Sequence, residues 1–152
     1  MILDYTRLMR IQSIPLTIAI ISAGYMIETG SIIEMGVLPL LVVGAVGHAG
    51  FYTMNEILDM EWDIEQYKSD KPLVSGDIPV ENAITLCFSL ILVSIFGALL
   101  FFPLESFLLY LASCGAGSVY NFRSKNDPLS SVYLGAWGVL ILLTGFYYAG
   151  GA

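Results

Sequence analysis

Charged residues are scarce in this sequence. Only 12% of its 152 residues are charged and 57% are hydrophobic, whereas an average soluble domain is about 25% charged. The hydrophobic excess excludes intrinsic disorder, because disordered chains are rich in charge and poor in apolar residues. A soluble domain of this size must also cover a large surface with polar side chains, which this composition does not supply. We therefore expect an integral membrane protein.

Basic residues and cysteines are also few. Six Lys and Arg residues stand against 13 Asp and Glu residues, which gives a net charge of -7. This balance argues against nucleic-acid binding, which depends on cationic contacts with phosphates. The two cysteines, Cys87 and Cys114, lie in apolar runs and match no metal-binding or redox spacing such as Cys-x-x-Cys. We interpret them as packing residues.

Long stretches without a charged residue divide the chain. An ionised side chain at the bilayer centre costs about 2.5–3.5 kcal/mol even on lenient insertion scales, so these stretches mark membrane spans. Each has close to the roughly 20 residues that a helix needs to cross the hydrocarbon layer, and none shows the alternation of a barrel strand. The stretches are 11–27, 35–55, 82–104, 106–122 and 128–152. The sequence therefore predicts an all-α fold, a polytopic bundle of about five transmembrane helices that forms a single membrane domain over residues 1–152.

The basic residues predict the orientation of the bundle. They lie before the first span, between the second and third spans, and between the fourth and fifth spans. They are Arg7, Arg10, Lys68, Lys71, Arg123 and Lys125. With five alternating spans, these three segments share one side of the membrane. By the positive-inside rule that side is the cytoplasm, which also places the N-terminus inside.

The most informative stretch lies at the end of the second span. Asn55, Asp59 and Asp63 are four residues apart, so on a helix they drift by only about 40° per step and share a face. Carboxylate and amide oxygens are the ligands that Mg²⁺ prefers, which makes these residues candidate metal ligands. The alternative is a solvated acidic loop, since five acidic residues lie within positions 56–65. Apolar residues alternate with the acids, which favours a half-buried helix instead.

A polar stripe continues from this motif into the membrane. His48 and Tyr52 precede Asn55 at spacings of three and four residues and therefore lie on the same helical face. An ionisable residue inside a membrane indicates function by default, so His48 is a candidate to contact a ligand; a hydrogen bond to a carbonyl group of a neighbouring helix is the alternative. A metal and basic groups beside an apolar bundle suit a ligand with a polyanionic head and an apolar tail, such as a polyprenyl diphosphate.

Four sequence elements carry a family resemblance. Positions 55–63 read N-x-x-x-D-x-x-x-D, and positions 70–76 follow with D-K-P-L-V-S-G. The segment 5–10, Y-T-R-L-M-R, precedes the first span, and Tyr120 with Lys125 follows the fourth. Together these elements resemble the first Asp-rich motif, the N-R-P-L-x-S-G element, the N-terminal R-L-M-R segment and the Y…K loop of the UbiA superfamily of intramembrane prenyltransferases.

The resemblance implies an enzyme that transfers a polyprenyl group from a prenyl diphosphate to a small aromatic or lipid-precursor acceptor within the membrane. It implies that Asn55, Asp59 and Asp63 hold Mg²⁺, and that Asp59 and Asp63 are the catalytic residues. It also implies a set of substrate-binding side chains. These are Arg10, Lys71, Tyr120 and Lys125, to which the polar stripe adds His48.

This sequence departs from the family pattern in its extent. Family members resemble bundles of about nine helices with a second Asp-rich motif in a later loop, and that motif is absent from these 152 residues. We therefore expect the chain to correspond to the N-terminal half of a family member, or slightly more. Two other hypotheses stay open: a membrane ion-binding or carrier protein whose acidic mouth recruits cations, and a truncated, non-catalytic module that pairs with a partner or with itself.

Overall fold

The structure, a computed structural model, describes residues 2–32, 35–123 and 127–151. All regular secondary structure in these ranges is helical. The α-helices are α1 (Ile2–Leu8), α2 (Ile14–Thr29), α3 (Leu38–Glu65), α4 (Val80–Phe101), α5 (Leu104–Arg123) and α6 (Ser130–Tyr148). Short 3-10 helices, Ile11–Ser13 and Met35–Val37, lead into α2 and α3. The prediction of an all-α fold is confirmed.

Four segments of the described ranges are long and apolar enough to cross a membrane. They are Ile11–Thr29, Met35–Glu65, Val80–Phe101 and Ser130–Tyr148. These segments match four of the five predicted spans. The remaining span, predicted at 106–122, forms α5, which has 20 residues but is not among the four. Its polar side chains explain the difference, and two of them face neighbouring helices: Ser106 Oγ donates a hydrogen bond to the Thr144 carbonyl oxygen at 2.9 Å, and Asn121 Nδ2 donates one to the Phe51 carbonyl oxygen at 3.0 Å.

Prolines mark the starts of the first three long helices. Pro15 and Pro39 lie in the first turns of α2 and α3, and Pro79 is the N-cap of α4. Proline fits these positions because the first helical N–H groups have no intrahelical acceptor, so nothing is lost by their absence.

Glycines bring α2 and α6 into backbone contact. A Cβ atom added at Gly145 would overlap the carbonyl oxygen of Ile21, and one added at Gly24 would overlap that of Leu142. Lipid offers no hydrophobic drive for helix association, so such close packing supplies much of the attraction between membrane helices. The α2–α6 contact closes one side of the bundle, while α3 packs on α4, and α5 on α6.

Two apolar clusters hold the chain around the candidate site. The larger one lies inside the helix bundle and includes Ile21, Leu40 and Tyr110. The smaller one consists of Leu8, Leu73, Ile78 and Ala83. It joins α1 to the α3–α4 loop and to the first turn of α4. This second cluster fixes the loop, and with it Lys71, beside the end of α3.

Candidate functional site

Five charged side chains from three segments meet beside the last turns of α3; we refer to them as the charged cluster. They are Arg10, Glu56, Asp63, Lys68 and Lys71. Arg10 Nη2 lies 2.5 Å from Glu56 Oε1, and Lys71 Nζ lies 2.8 Å from Glu56 Oε2. Lys71 Nζ is also 2.6 Å from Asp63 Oδ2, and Lys68 Nζ is 2.9 Å from Asp63 Oδ1. The cluster therefore links the chain before α2 to α3 and to the α3–α4 loop.

The charged cluster carries an excess of positive charge. Its two carboxylates are buried, with the side chain of Asp63 2% exposed and that of Glu56 7% exposed. Three cations face these two anions, so the formal sum is one positive charge. Burial opposes the charged form of Lys71, but hydrogen bonds to Asp63 and Glu56 and the charges of both carboxylates outweigh it, so the pKa of Lys71 is raised above 10.5. Lys71 is thus held as an ammonium ion next to the site.

The three predicted metal ligands have different partners. Asn55 Nδ2 donates a hydrogen bond to Asp59 Oδ2 at 3.1 Å, so these two side chains lie together. Asp63 instead accepts hydrogen bonds from Lys68 and Lys71, one on each carboxylate oxygen. Within the described ranges, no group of three or more His, Cys, Asp or Glu side chains is arranged to hold a metal ion. Asn55 and Asp59 supply the amide and carboxylate oxygens that Mg²⁺ prefers. Asp63 could coordinate the ion only if its carboxylate oxygens gave up their hydrogen bonds to Lys68 and Lys71.

A cavity of about 240 Å³ lies among α2, α3, α5 and α6; we call it the inner cavity. Apolar and aromatic side chains supply most of its wall, including Phe51, Leu134, Trp137 and Ile141. Four predicted site residues also line it, namely Arg10, His48, Asn55 and Tyr120. The structure therefore brings these four together around one apolar space, as a substrate-binding site requires.

A second cavity of about 350 Å³, the polar cavity, lies next to the charged cluster. Its lining consists of Arg7, Arg10, Gln12, Glu56, Asp70, Lys71 and Pro72. Three of these side chains are cationic and two are anionic, so the lining carries a small formal excess of positive charge. Arg10 lines both cavities, so a single guanidinium lies where the basic space and the apolar space meet.

Arg10 adopts a rare backbone conformation. Its φ of 45° and ψ of 50° place it in the left-handed region. Residues other than glycine adopt this backbone conformation at a cost of about 1–2 kcal/mol. The guanidinium carbon lies 5.5 Å from the ring centroid of Tyr52, within the range of a cation–π interaction. The turn directs Arg10 back toward α3, where it meets both Tyr52 and Glu56.

His48 is hydrogen-bonded on both ring nitrogens. Its Nδ1 lies 2.6 Å from Thr17 Oγ1 and its Nε2 lies 2.9 Å from Ser13 Oγ. The ring also stacks on Tyr52, with 4.3 Å between the centroids. The alternative considered from the sequence was a bond to a carbonyl group of a neighbouring helix, whereas both partners in the structure are side-chain hydroxyl groups. The ring still forms part of the inner cavity wall.

One predicted site residue is not described by the structure, and several residues beside the site were not predicted. Lys125, predicted to bind substrate, lies outside the described residues. Glu56 was grouped with a solvated acidic loop by the alternative reading, yet it is buried in the charged cluster. Its spacing of seven residues from Asp63, two helical turns, was the available signal that the two carboxylates share a face. Arg7 and Asp70 in the polar cavity were not predicted to bind substrate, although Arg7 lies in the R-L-M-R segment and Asp70 begins the D-K-P-L-V-S-G element.

Comparisons with known proteins agree with the family resemblance noted in the sequence. The model of the UbiA prenyltransferase family matches residues 17–152. The 4-hydroxybenzoate octaprenyltransferases of Francisella tularensis subsp. novicida (strain U112) and subsp. holarctica (strain LVS) are each 30% identical to this chain over 105 residues. The alignment covers 68% of this chain and 34% of each relative, so the chain spans little more than a third of the length of these relatives. No solved structure gives a significant match.

Proposed function

Because this chain belongs to the UbiA prenyltransferase family, we propose that it serves Mg²⁺-dependent transfer of a polyprenyl group from a prenyl diphosphate to a small aromatic acceptor within the membrane. The observation that carries the proposal is the place of Arg10, which lines a basic polar cavity and an apolar inner cavity at once. A prenyl diphosphate has two corresponding parts, an anionic diphosphate that suits the polar cavity and an apolar chain that begins where the two cavities meet. The reacting C–O bond joins these two parts.

The polar cavity is the proposed site of the diphosphate. Arg7, Arg10 and Lys71 line it and would donate charge-assisted hydrogen bonds to the phosphate oxygens. Arg10 offers a planar fork that suits two oxygens at once, whereas Lys71 offers a compact point charge. The excess positive charge of the charged cluster favours the anion. The same excess opposes an ion carrier that recruits cations, because the carboxylates of Glu56 and Asp63 already face cationic side chains.

Asn55, Asp59 and Asp63 are the proposed ligands of Mg²⁺. When bound, the metal would supply Lewis-acid stabilisation of the leaving diphosphate. The hydrogen bond from Asn55 Nδ2 to Asp59 Oδ2 places the amide group beside the carboxylate on one face of α3. Asp63 would join them only by giving up its contacts with Lys68 and Lys71.

The inner cavity is the proposed acceptor site. Its volume of about 240 Å³ is below the range of about 300–1,000 Å³ that is typical of drug-sized ligands. A single substituted ring therefore fits it better than a long polyprenyl chain. Tyr120 is the polar wall residue proposed to contact this substrate, whereas His48 contributes only its ring to the wall. Lys125 remains a further candidate for the diphosphate. Aromatic walls such as Trp137 would exclude water from the carbocation that forms on ionisation.

The test is prenyl transfer by membranes that contain the protein. We would supply a radiolabelled prenyl diphosphate, 4-hydroxybenzoate as the first acceptor, and Mg²⁺. Label should move to the acceptor, and both EDTA and the Asp59→Ala substitution should abolish the transfer. Glu61→Ala, an exposed acidic residue on the same helix, is the matched control and should retain it.

Other results would separate the competing functions. Transfer that persists in Asp59→Ala membranes would show the metal assignment to be wrong. Binding of the prenyl diphosphate without transfer would support a non-catalytic module that needs a partner. Divalent metal uptake into vesicles that does not depend on prenyl diphosphate would support an ion carrier instead.

A further inference from the structure

We propose that His48 is a positioning residue that holds Arg10 in place through Ser13 and Tyr52. This inference rests on the proposed function, in which Arg10 binds the diphosphate where the two cavities meet. From its place on the polar stripe, His48 was predicted to contact the ligand directly. In the structure, both of its ring nitrogens are instead hydrogen-bonded to the protein itself, which indicates a supporting role.

The hydrogen bonds around His48 form a chain with one consistent direction. Ser13 Oγ lies 2.7 Å from the carbonyl oxygen of Arg10 and donates its single hydrogen there. Ser13 Oγ must therefore accept from His48 Nε2, which carries the ring proton. Nδ1 then has a free lone pair and accepts from the Thr17 hydroxyl. The chain is satisfied with a neutral imidazole in the Nε2–H form, and it ends at the Arg10 carbonyl.

The series of hydrogen bonds ends at a residue with an unfavourable backbone conformation. Arg10 is left-handed, with a φ of 45°, and such a residue persists only when its surroundings over-determine it. Its carbonyl oxygen accepts from both the amide and the hydroxyl of Ser13, at 2.8 Å and 2.7 Å. His48 fixes the Ser13 hydroxyl in the rotamer that donates to Arg10, and in this way stabilises the strained turn.

A second path runs from His48 to the side chain of Arg10. The imidazole stacks on Tyr52 with 4.3 Å between centroids and an interplanar angle of 31°. The Arg10 guanidinium carbon also lies over the Tyr52 ring, 5.5 Å from its centroid. His48 therefore limits the position of Arg10 at its backbone and at its guanidinium. The ion pair with Glu56 supplies a third restraint.

The first test reads the imidazole directly, since the sequence contains a single histidine. Protein labelled with ¹⁵N-histidine and reconstituted in lipid should give one neutral ring, protonated at Nε2 and unprotonated at Nδ1. Ser13→Ala should shift the Nε2 resonance and Thr17→Val the Nδ1 resonance, while Ser13→Thr should keep the wild-type pattern. An Nδ1–H tautomer in the wild-type protein would overturn the proposal.

The second test measures coupling between Ser13 and Arg10 with farnesyl diphosphate as the probe, by calorimetry in nanodiscs. Ser13→Ala should weaken binding about five-fold, the effect of losing one hydrogen bond. In an Arg10→Gln background, Ser13→Ala should cause no further loss of affinity for farnesyl diphosphate. Ser13→Thr should restore affinity, and His48→Phe, which keeps the ring on Tyr52, should match Ser13→Ala. Ser89→Ala, an exposed hydroxyl on α4, is the control.

The outcomes separate the inference from the function on which it rests. Equal losses from Ser13→Ala with and without Arg10 would overturn the positioning role alone. Unchanged affinity in Arg10→Gln would overturn the diphosphate site and the inference together. Thermal midpoints of all variants, measured without the probe, would identify any loss that reflects unfolding.

Discussion

Lys71 and Asp63 form an ion pair with 2.6 Å between Nζ and Oδ2, and the Asp63 side chain in it is only 2% exposed. The pair ties the α3–α4 loop to the last turns of α3. Lys71 also contacts Glu56 at 2.8 Å, so one ammonium ion serves two buried carboxylates. Its removal would leave buried negative charge, which is far more costly than loss of an exposed pair.

We expect Lys71→Met to lower the free energy of unfolding by about 3 kcal/mol, the low end of the range for breaking a buried pair, because Lys68 still faces Asp63. Lys71→Arg should retain most of the stability. The half-exposed Lys68 gives the control, and Lys68→Met should cost at most about 1 kcal/mol. Denaturant unfolding in mixed micelles measures all three variants. Equal losses from the two Met variants would contradict the assignment of Lys71 as the central cation.

Asp127 supplies a pH-dependent contribution at the start of α6. The backbone N–H of Leu129 donates to Asp127 Oδ1 at 2.8 Å and is the main cause that lowers the pKa of Asp127; Tyr133 and Arg123 add hydrogen bonds. A lowered pKa means that the stabilisation is complete above the unfolded value of 3.8 and is lost as the pH falls through the folded value. Carboxyl ¹³C shifts followed from about pH 6 to pH 2 should place the Asp127 midpoint below 3.8.

Tyr133→Phe is the matched variant for this titration. It removes the hydroxyl that donates to Asp127 Oδ2 at 3.1 Å and leaves the Leu129 contact in place. The midpoint should therefore move upward toward the ordinary aspartate value but stay below it. A midpoint at the ordinary value in the wild-type protein would show that the Leu129 hydrogen bond does not persist in solution.

The sequence was sufficient for the helical fold because charge-free runs and prolines are local signals. It predicted four spans where the structure has helices long and apolar enough to cross a membrane, and four of its proposed site residues, Arg10, His48, Asn55 and Tyr120, line the inner cavity. The span at 106–122 was predicted from the absence of charge alone, and α5 is less apolar than the other four long helices because it contains serine, tyrosine and asparagine residues. Such residues are compatible with burial among helices as well as with a span.

The partners of the acidic residues could not be predicted from spacing. A period of four residues places Asp59 and Asp63 on one face, but which cation reaches each carboxylate depends on how the loop folds back. Leu73 and Ile78 anchor that loop against α1 and α4, and this long-range packing brings Lys71 to Glu56 and Asp63. The left-handed turn at Arg10 likewise has no sequence signal, since neither glycine nor asparagine is present there.

The backbone contact between α2 and α6 predicts a sharp difference between two glycines of one helix. Gly145→Ala would drive a methyl group into the carbonyl oxygen of Ile21, which cannot move without separating the helices. We expect a loss of about 3 kcal/mol, the upper end for overpacking. Gly138→Ala, whose added Cβ would meet no atom within 4 Å beyond the adjacent residues and backbone of its own helix, should be neutral or slightly stabilising. Comparable thermal midpoints for the two variants would show that α2 and α6 do not meet at Gly145.

The deep wall of the inner cavity depends on a fit between Gly47 and Tyr110. A Cβ added at Gly47 would overlap the Tyr110 hydroxyl, yet it would lie 3.4 Å from the ring carbon that bears that hydroxyl, an ordinary van der Waals distance. Gly47→Ala should therefore destabilise the protein by about 1–3 kcal/mol. In a Tyr110→Phe background the same substitution should cost much less, because the overlapping atom is gone.

This double-mutant cycle tests the packing of α3 against α5 rather than the effect of alanine in a helix. Intrinsic propensity makes alanine more favourable than glycine by about 1 kcal/mol in either background, so it cancels from the coupling. A double variant that is less destabilised in micelles than the sum of the two single variants would confirm that the Tyr110 hydroxyl occupies the space Gly47 leaves open. Additive effects of the two substitutions would place Tyr110 elsewhere and change the depth of the inner cavity with it.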